Sequence, residues 1–128
     1  MVRHLIDNNT ISHFCSAKLP DKARVFISTI IDSQPAISVI TKIEALSWKA
    51  SDPAFETIAS RFIASSAVFD LTPAVVDKTI ELRRAMRIKI PDAIIAATAI
   101  VHNLTLITSD SDFNAIPGLK TINPLAMS

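Results

Sequence analysis

Hydrophobic positions along the chain follow two patterns, one typical of helices and one typical of short buried strands. Apolar residues at positions 23, 26, 27, 30 and 31 recur every three or four residues, which predicts an amphipathic helix from Ala23 to about Ser33. Asp21 is the expected N-cap of this helix. Positions 55, 58, 59, 62 and 63 repeat the rhythm in a helix that Asp52 and Pro53 begin.

Short apolar runs lie between these helical segments. The predicted strands cover residues 3–6, 36–39, 67–71, 104–107 and 119–122. The remaining predicted helices cover residues 10–14, 40–50, 73–87 and 91–102. Strands that alternate with helices predict an α/β fold with a mainly parallel sheet, and the length predicts one domain over residues 1–128.

The most hydrophobic stretch runs from Lys89 to Phe113, and acidic residues lie close to its end. Pro91 suits the first turn of a helix, and residues 93–102 are almost all apolar or small. The strand over 104–107 lacks alternation, as expected of a strand that is covered on both faces. The sequence TSDSD follows it directly.

Carboxylates follow several predicted strands at the point where each strand ends. Asp7 follows the first strand, Asp110 and Asp112 follow the fourth, and Glu44 lies one turn into the helix after the second. If the strands are parallel, these acids meet at one edge of the sheet, where open α/β sheets bind their ligands. Asp92 begins the helix that precedes the fourth strand, and the pattern alone does not place it.

Each acid, taken singly, also has an ordinary structural explanation. The helix dipole alone favours Asp92 in a first turn, and Asp110 suits an N-cap or an Asx turn. Glu44 could lie on a solvated helix face, Asp7 in a polar turn, and Asp112 in the turn beside Asp110. Together, however, crowded carboxylates raise one another's pKa values and destabilise a fold unless a cation neutralises them.

The expected cation is Mg²⁺ or Mn²⁺, because both ions prefer oxygen ligands. Such an ion can polarise a phosphodiester and activate water. His4, His13 and His102 lie in contexts that do not suit a general base.

Composition limits the kinds of partner and location that the sequence predicts. The formal net charge of +1 gives no global attraction to nucleic acid, so RNA binding would need a local basic patch. The candidate patch lies at the end of the fifth predicted helix and comprises Arg83, Arg84, Arg87 and Lys89. These cations either stabilise the C-terminal end of the helix dipole or bind phosphate groups. Gly118 is the only glycine, which argues against phosphate-cradling glycine loops. One cysteine and no apolar run of about 20 residues predict a cytoplasmic protein without membrane association.

Three segments together resemble a PIN domain, and most closely the VapC-type toxins of bacterial toxin–antitoxin pairs. These segments are HLIDNN, ISVITKIEAL and KIPDAIIAATAIVHNLTLITSDSDF. The resemblance implies a three-layer α/β/α sandwich, Mg²⁺- or Mn²⁺-dependent endoribonuclease activity on RNA, a homodimer, and inhibition by a cognate antitoxin protein. The implied catalytic acids are Asp7, Glu44, Asp92 and Asp110, and the implied metal ligands are Asp7, Asp92, Asp110 and Asp112.

The same resemblance assigns supporting roles to two polar residues and shows one departure. Asn9 and Thr108 match positions that shape the pocket. The family commonly has threonine where this chain has Asn8, which puts a local hydrogen bond in doubt.

Two other functions stay open at this stage. A PIN fold could bind RNA or a protein without cutting, although a complete set of acids argues against a degenerate site. A phosphate-accepting signalling domain would need a lysine after a later strand, and none follows the fourth strand before Lys120.

Overall fold

The structure, a computed structural model, describes residues 3–47, 49 and 52–127. Its strands are β1 (His4–Ile6), β2 (Ala36–Ser38), β3 (Ala67–Phe69), β4 (Thr105–Ile107) and β5 (Lys120–Ile122). Its helices are α1 (Asn8–Cys15), α2 (Asp21–Ser33), α3 (Val39–Ser47), α4 (Pro53–Ser65), α5 (Pro73–Ala85) and α6 (Ile90–Val101). Two short 3₁₀ helices cover Ser111–Ala115 and Pro124–Ala126.

The strands form one sheet in the order β3-β2-β1-β4-β5, and every pairing in it is parallel. This confirms the predicted α/β class. β1 is the central strand, so the residues that follow β1 and its neighbour β4 lie in the middle of the sheet edge.

Apolar side chains cover both faces of the sheet. Consecutive residues of a strand point to opposite faces, and here both members of each consecutive pair are buried. Leu5 packs in the core beneath α5 and α6, whereas Ile6 packs in the core formed with α1, α2 and α4. Leu106 and Ile107 divide in the same way. The molecule is therefore a three-layer α/β/α sandwich, and the absence of alternation in the sequence of β4 reflects burial on both sides.

Local signals fix most of the helix boundaries. Asp52 and Thr72 accept hydrogen bonds from the first-turn amides of α4 and α5, and a proline occupies the first position of each helix. The prediction for α2 was wrong in one detail. Pro20 is the N-cap, and Asp21 lies inside the helix, where its carboxylate pairs with Arg24 at 2.9 Å.

Other elements differ in length from the prediction. α1 begins earlier and is longer than predicted, because Asp7 acts as its N-cap instead of ending a polar turn. β3 and β4 have three residues each, fewer than predicted. α3 begins at Val39, and Trp48 and Ala50, which were predicted to lie in it, fall outside the described residues.

In the part of the chain that the structure describes, no helix combines the length and apolar character that crossing a bilayer requires.

Candidate active site

The ends of β1 and β4 bring Asp7 and Thr108 side by side. The strands pair in register, with Ile6 opposite Ile107. The ladder continues one step further, since the amide of Asp7 donates to the Ile107 carbonyl at 3.3 Å. The Thr108 hydroxyl then donates to the Oδ2 atom of Asp7. A hydrogen bond between side chains thus joins the chain after β1 to the chain after β4, one residue beyond the paired residues of the two strands.

Asp7 is both a helix cap and a buried acid. Its Oδ1 atom accepts from the amide of Thr10 at 3.2 Å, which begins α1. Only 5% of Asp7 is exposed. Burial raises its pKa to about 6, although the hydrogen bonds from Thr108 and Thr10 favour the charged form and partly oppose this shift; the charge of Asp110 raises the pKa further.

The loop after β4 is held by a hydrogen-bonded network around Asn9. The Oδ1 atom of Asn9 accepts from the Ser109 amide at 3.4 Å and from the Thr10 hydroxyl at 3.3 Å. Its Nδ2 atom donates to Thr108 Oγ1 at 3.4 Å, and the same oxygen accepts from the Asp110 amide at 3.1 Å. Asn9 and Thr108 thus occupy positions that fit the shaping role the resemblance implied.

Thr10 is a supporting residue that the sequence analysis missed. It is fully buried, and its hydroxyl donates to the Ile107 carbonyl at 3.0 Å, which ties α1 to the end of β4. The available signal was its position three residues after Asp7. An N-cap side chain accepts a hydrogen bond from the amide of the residue three positions later, so a threonine at position 10 lies close to Asp7.

Asp110 combines the two roles that the sequence left open. Its Oδ1 atom accepts from the Asp112 amide at 2.9 Å, which caps the 3₁₀ helix Ser111–Ala115. Phe113, which is 3% exposed, anchors this helix in the core beneath α5 and α6. A structural cap and a place near the other acids are therefore compatible at Asp110.

Asp92 reaches the same region because α6 precedes β4. The last turn of α6 meets the start of β4, where the Leu104 amide donates to the Ala99 carbonyl at 2.8 Å, and its first turn lies towards the carboxyl end of that strand. Burial raises the pKa of Asp92, and the charges of Asp110 and then Asp112 add to this, whereas Lys89 opposes them. Asp92 also lines one cavity together with both acids of the β4 loop.

Glu44 lies at the margin of the cluster. It is exposed on α3 and lines a cavity of about 300 Å³ together with Asn8 and Ser12. The cavity wall partly shields its carboxyl from water, and this partial burial and then the nearby charge of Asp92 raise its pKa.

Besides burial, the charge of a neighbouring acid raises the pKa of three of the predicted acids: Asp92 acts on Glu44, Asp110 and Asp112 act on Asp92, and Asp110 acts on Asp7. They are not a preassembled cage. Within residues 3–47, 49 and 52–127, no three acid, histidine or cysteine side chains converge closely enough to hold a metal ion.

Two of the histidines pack against aromatic rings. His4 packs edge-on against Phe26, and His102 packs against Phe69 at the far end of α6.

The basic patch from Arg83 to Lys89, which begins in the last turn of α5, divides into two parts. Arg87 and Lys89 line a cavity that also contains Asp92, Asp110 and Asp112. Arg83 instead donates from Nε to the Ile88 carbonyl at 3.1 Å, and neither it nor Arg84 lines the cavity.

An all-parallel α/β/α sandwich with acids gathered at the ends of its central strands defines the class of this protein. The chain belongs to the PIN domain family, whose profile matches residues 4–119. This confirms the family that the three sequence segments indicated.

Solved structures of toxin–antitoxin systems share the fold. VapBC2 from Rickettsia felis, bound to a DNA fragment from its promoter, matches at 22% identity over 96% of this chain and 98% of that chain, with a TM-score of 0.78. A toxin–antitoxin complex from Klebsiella pneumoniae matches at 28% identity over 94% and 97%, with a TM-score of 0.72. DNA-bound VapBC from Salmonella typhimurium matches at 23% identity over 95% and 98%, with a TM-score of 0.78. A comparison with curated proteins found no match.

Proposed function

We propose that this protein is a divalent-metal-dependent endoribonuclease and the toxin of a type II toxin–antitoxin pair. The observation that carries the proposal is the group of carboxylates around the ends of β1 and β4 in a PIN domain, where Asp92, Asp110 and Asp112 line one cavity and Asp7 is buried beside Thr108. Burial and then the neighbouring acids raise the pKa values of Asp7, Glu44 and Asp92, so their charged forms are disfavoured in the metal-free fold. A bound cation would offset this cost.

The residues present fit Mg²⁺ or Mn²⁺ by their chemistry, since the donors are carboxylate oxygens. Asp7, Asp92, Asp110 and Asp112 would hold the ion, and Glu44 would complete the catalytic acids. When bound, the ion supplies the Lewis acidity that activates water and the phosphodiester. Thr108 and Thr10 hold the carboxylate of Asp7 in a fixed orientation, and Asn9 holds the loop that carries Asp110.

The proposed partners are an RNA substrate, a cognate antitoxin protein and a second copy of the chain. The antitoxin is supported by the similarity to chains from toxin–antitoxin complexes, which extends over nearly the whole length of this chain and of those chains. Co-expression with an open reading frame encoded beside this one, followed by size-exclusion chromatography with light scattering, would test the antitoxin and the homodimer together.

The nuclease is tested with purified protein, structured RNAs and Mg²⁺ or Mn²⁺. Changes in the shell around a metal alone reduce activity about 10- to 100-fold, so Asp92→Asn should lower cleavage by about 100-fold or more. Asp77→Asn, on the exposed surface of α5, is the matched control because it makes the same chemical change away from the cluster. Equal cleavage by the two variants would show that Asp92 is not part of the site.

The absence of a preassembled metal cage among the described residues favours one alternative, a non-catalytic PIN module that binds RNA or protein. Thermal unfolding separates it from the nuclease without an activity assay. A metalloenzyme should gain melting temperature with millimolar Mg²⁺, and Asp92→Asn should abolish the gain. RNA binding with no cleavage and no thermal shift under any divalent ion would support the module.

A further inference from the structure

The first turn of α3 contains a buried hydroxyl group that makes no hydrogen bond. Thr41 is fully buried. Among the side chains that the structure describes, its Oγ1 atom is one of two buried polar atoms without a hydrogen-bond partner. A hydroxyl that is buried in this way disfavours the folded state, because it has given up its hydrogen bonds to water and gained none in return. Packing alone therefore does not explain a threonine at this position.

Two other buried threonines show which hydrogen bond Thr41 lacks. Thr79 in α5 and Thr98 in α6 each donate to the carbonyl of the residue four positions earlier, at 2.7 Å. The residue four positions before Thr41 is Ile37, which belongs to β2 and not to a helix. The hydroxyl of Thr41 therefore has no acceptor of this kind in its own helix, and it remains available to another group.

The pairing of the strands places Thr41 at the sheet edge that carries the acids. β1 and β2 are parallel, with Leu5 opposite Ala36, so Ser38 at the end of β2 is level with Asp7. Thr41 follows three residues later in α3, and α3 packs against α6. Thr41 therefore lies at the carboxyl ends of the strands, on the opposite side of β1 from β4.

Glu44 is the acid that follows Thr41 in α3, and residues three apart are neighbours on one face of a helix. A long helical side chain leans towards the N-terminal end of its helix, so the side chain of Glu44 extends towards the turn that contains Thr41. The carboxylate of Asp7 is held by Thr10 and Thr108. Within the described part of the chain, no such donor holds the carboxylate of Glu44. An unused donor thus lies one turn before an acid that lacks one.

We propose that Thr41 is a positioning residue, whose hydroxyl donates to the carboxylate of Glu44 when a divalent cation binds and keeps that carboxylate facing the cation. The inference rests on the proposed function and adds one residue to its site. In this arrangement the carboxylate of Glu44 turns from solvent towards the other acids. The hydroxyl of Thr41, which can rotate to suit its acceptor, then gains the hydrogen bond that it lacks in the metal-free fold.

The test is thermal unfolding in a titration with Mn²⁺, with the wild type, Thr41→Val and Thr41→Ser. Loss of a residue in the shell around a metal lowers metal affinity about 10- to 100-fold. Thr41→Val should therefore need about tenfold more Mn²⁺ for the same rise in melting temperature, whereas Thr41→Ser, which keeps the hydroxyl, should respond like the wild type. In a chelator, Thr41→Val should melt at or above the wild-type temperature, because it removes an unpaired group and keeps the shape of the side chain.

Two controls separate this role from a structural one. Thr98→Val makes the same change at a buried threonine whose hydroxyl is bonded within α6, and it should leave the response to Mn²⁺ unchanged. Glu44→Ala removes the proposed acceptor. In that background Thr41→Val should cause no further loss of Mn²⁺ affinity, because the hydroxyl acts through the carboxylate of Glu44.

The outcomes for Thr41 and for the nuclease are distinguishable. The role of Thr41 would be overturned, with the nuclease retained, by an equal response to Mn²⁺ in Thr41→Val and the wild type, or by an equal loss in Thr98→Val. A full further loss in the Glu44→Ala background, or a lower melting temperature of Thr41→Val in the chelator, would overturn it too. A loss confined to Thr41→Val, with no cleavage of RNA by the wild type, would support the positioning role and reject the nuclease. No response of the wild type to Mn²⁺ would overturn both.

Discussion

Replacing Asp7 by asparagine should stabilise the metal-free protein at neutral and alkaline pH. The carboxyl of Asp7 is 5% exposed, and its pKa is raised from 3.8 to about 6, chiefly by burial. Asparagine has nearly the same shape, and its side-chain oxygen can still accept from the Thr10 amide. The Thr108 oxygen already accepts from Asn9 and from the Asp110 amide, so the substitution removes the buried charge together with the hydrogen bond from Thr108, and the gain is at most the value set by the pKa shift.

The magnitude follows from the pKa shift. A rise from 3.8 to about 6 is about 2 units, which at about 1.4 kcal/mol per unit corresponds to about 3 kcal/mol. A raised pKa means that the folded state binds the proton more tightly than the unfolded state does. The contribution of Asp7 is therefore fully favourable below the unfolded pKa, and it is lost as pH rises through about 6.

The assay is urea unfolding of the wild type and of Asp7→Asn in a chelator, at pH values from about 4 to about 8. The variant should gain stability relative to the wild type across this range, by up to about 3 kcal/mol. Asp77→Asn, which makes the same chemical change on the exposed surface of α5, is the control. A pH-independent difference for Asp7→Asn, equal to that of the control, would refute the view that Asp7 is a buried acid destabilised by its surroundings.

Further predictions concern the metal, the network and the anchor of the β4 loop. Saturating Mg²⁺ should raise the melting temperature of the wild type and leave that of Asp7→Asn almost unchanged; equal shifts in a thermal scan would place the metal elsewhere. Thr10→Val should lower the free energy of unfolding by about 1 kcal/mol, since the Ile107 carbonyl loses one of its two donors, and Thr10→Ser should recover most of it in urea titrations. Phe113→Ala should cost about 3–5 kcal/mol in the same titrations, and a loss below 1 kcal/mol would contradict the burial of this ring.

The sequence was sufficient to place acids at strand ends, because that inference needs only the order of the elements. Parallel strands share an edge for their carboxyl ends, so Asp7 and Asp110 had to approach one another once β1 and β4 were recognised. The same reasoning applies to Asp92, although the sequence analysis did not assign this residue to the sheet edge. A helix that leads into a parallel strand begins at the edge where that strand will end, so its first-turn acid lies near that edge.

The hydrogen bonds between these acids and their supports were beyond the sequence, because they depend on register. The Thr10 hydroxyl reaches the Ile107 carbonyl across 97 positions of the chain, at 3.0 Å. A shift of one residue between β1 and β4 would turn every strand side chain to the other face and break this contact. The pattern specifies that the two strands are buried, but the pairing of Ile6 with Ile107 depends on how both cores pack.

The sequence left open whether Asn8 removes a hydrogen bond from the site, and the hydrogen bonds around Asp7 decide this. Threonine is common at this position in the family, so Asn8 put a hydrogen bond to the site in doubt. In the structure, Asn8 lines the cavity beside Glu44, and the carboxylate of Asp7 receives its donors from Thr10 and Thr108. Both oxygens of Asp7 are therefore supported without any contribution from residue 8. Asn8→Thr should consequently leave the pH dependence of stability unchanged, whereas Thr108→Val, which removes a donor from a buried carboxylate, should lower stability most at pH values above about 6, where Asp7 is charged.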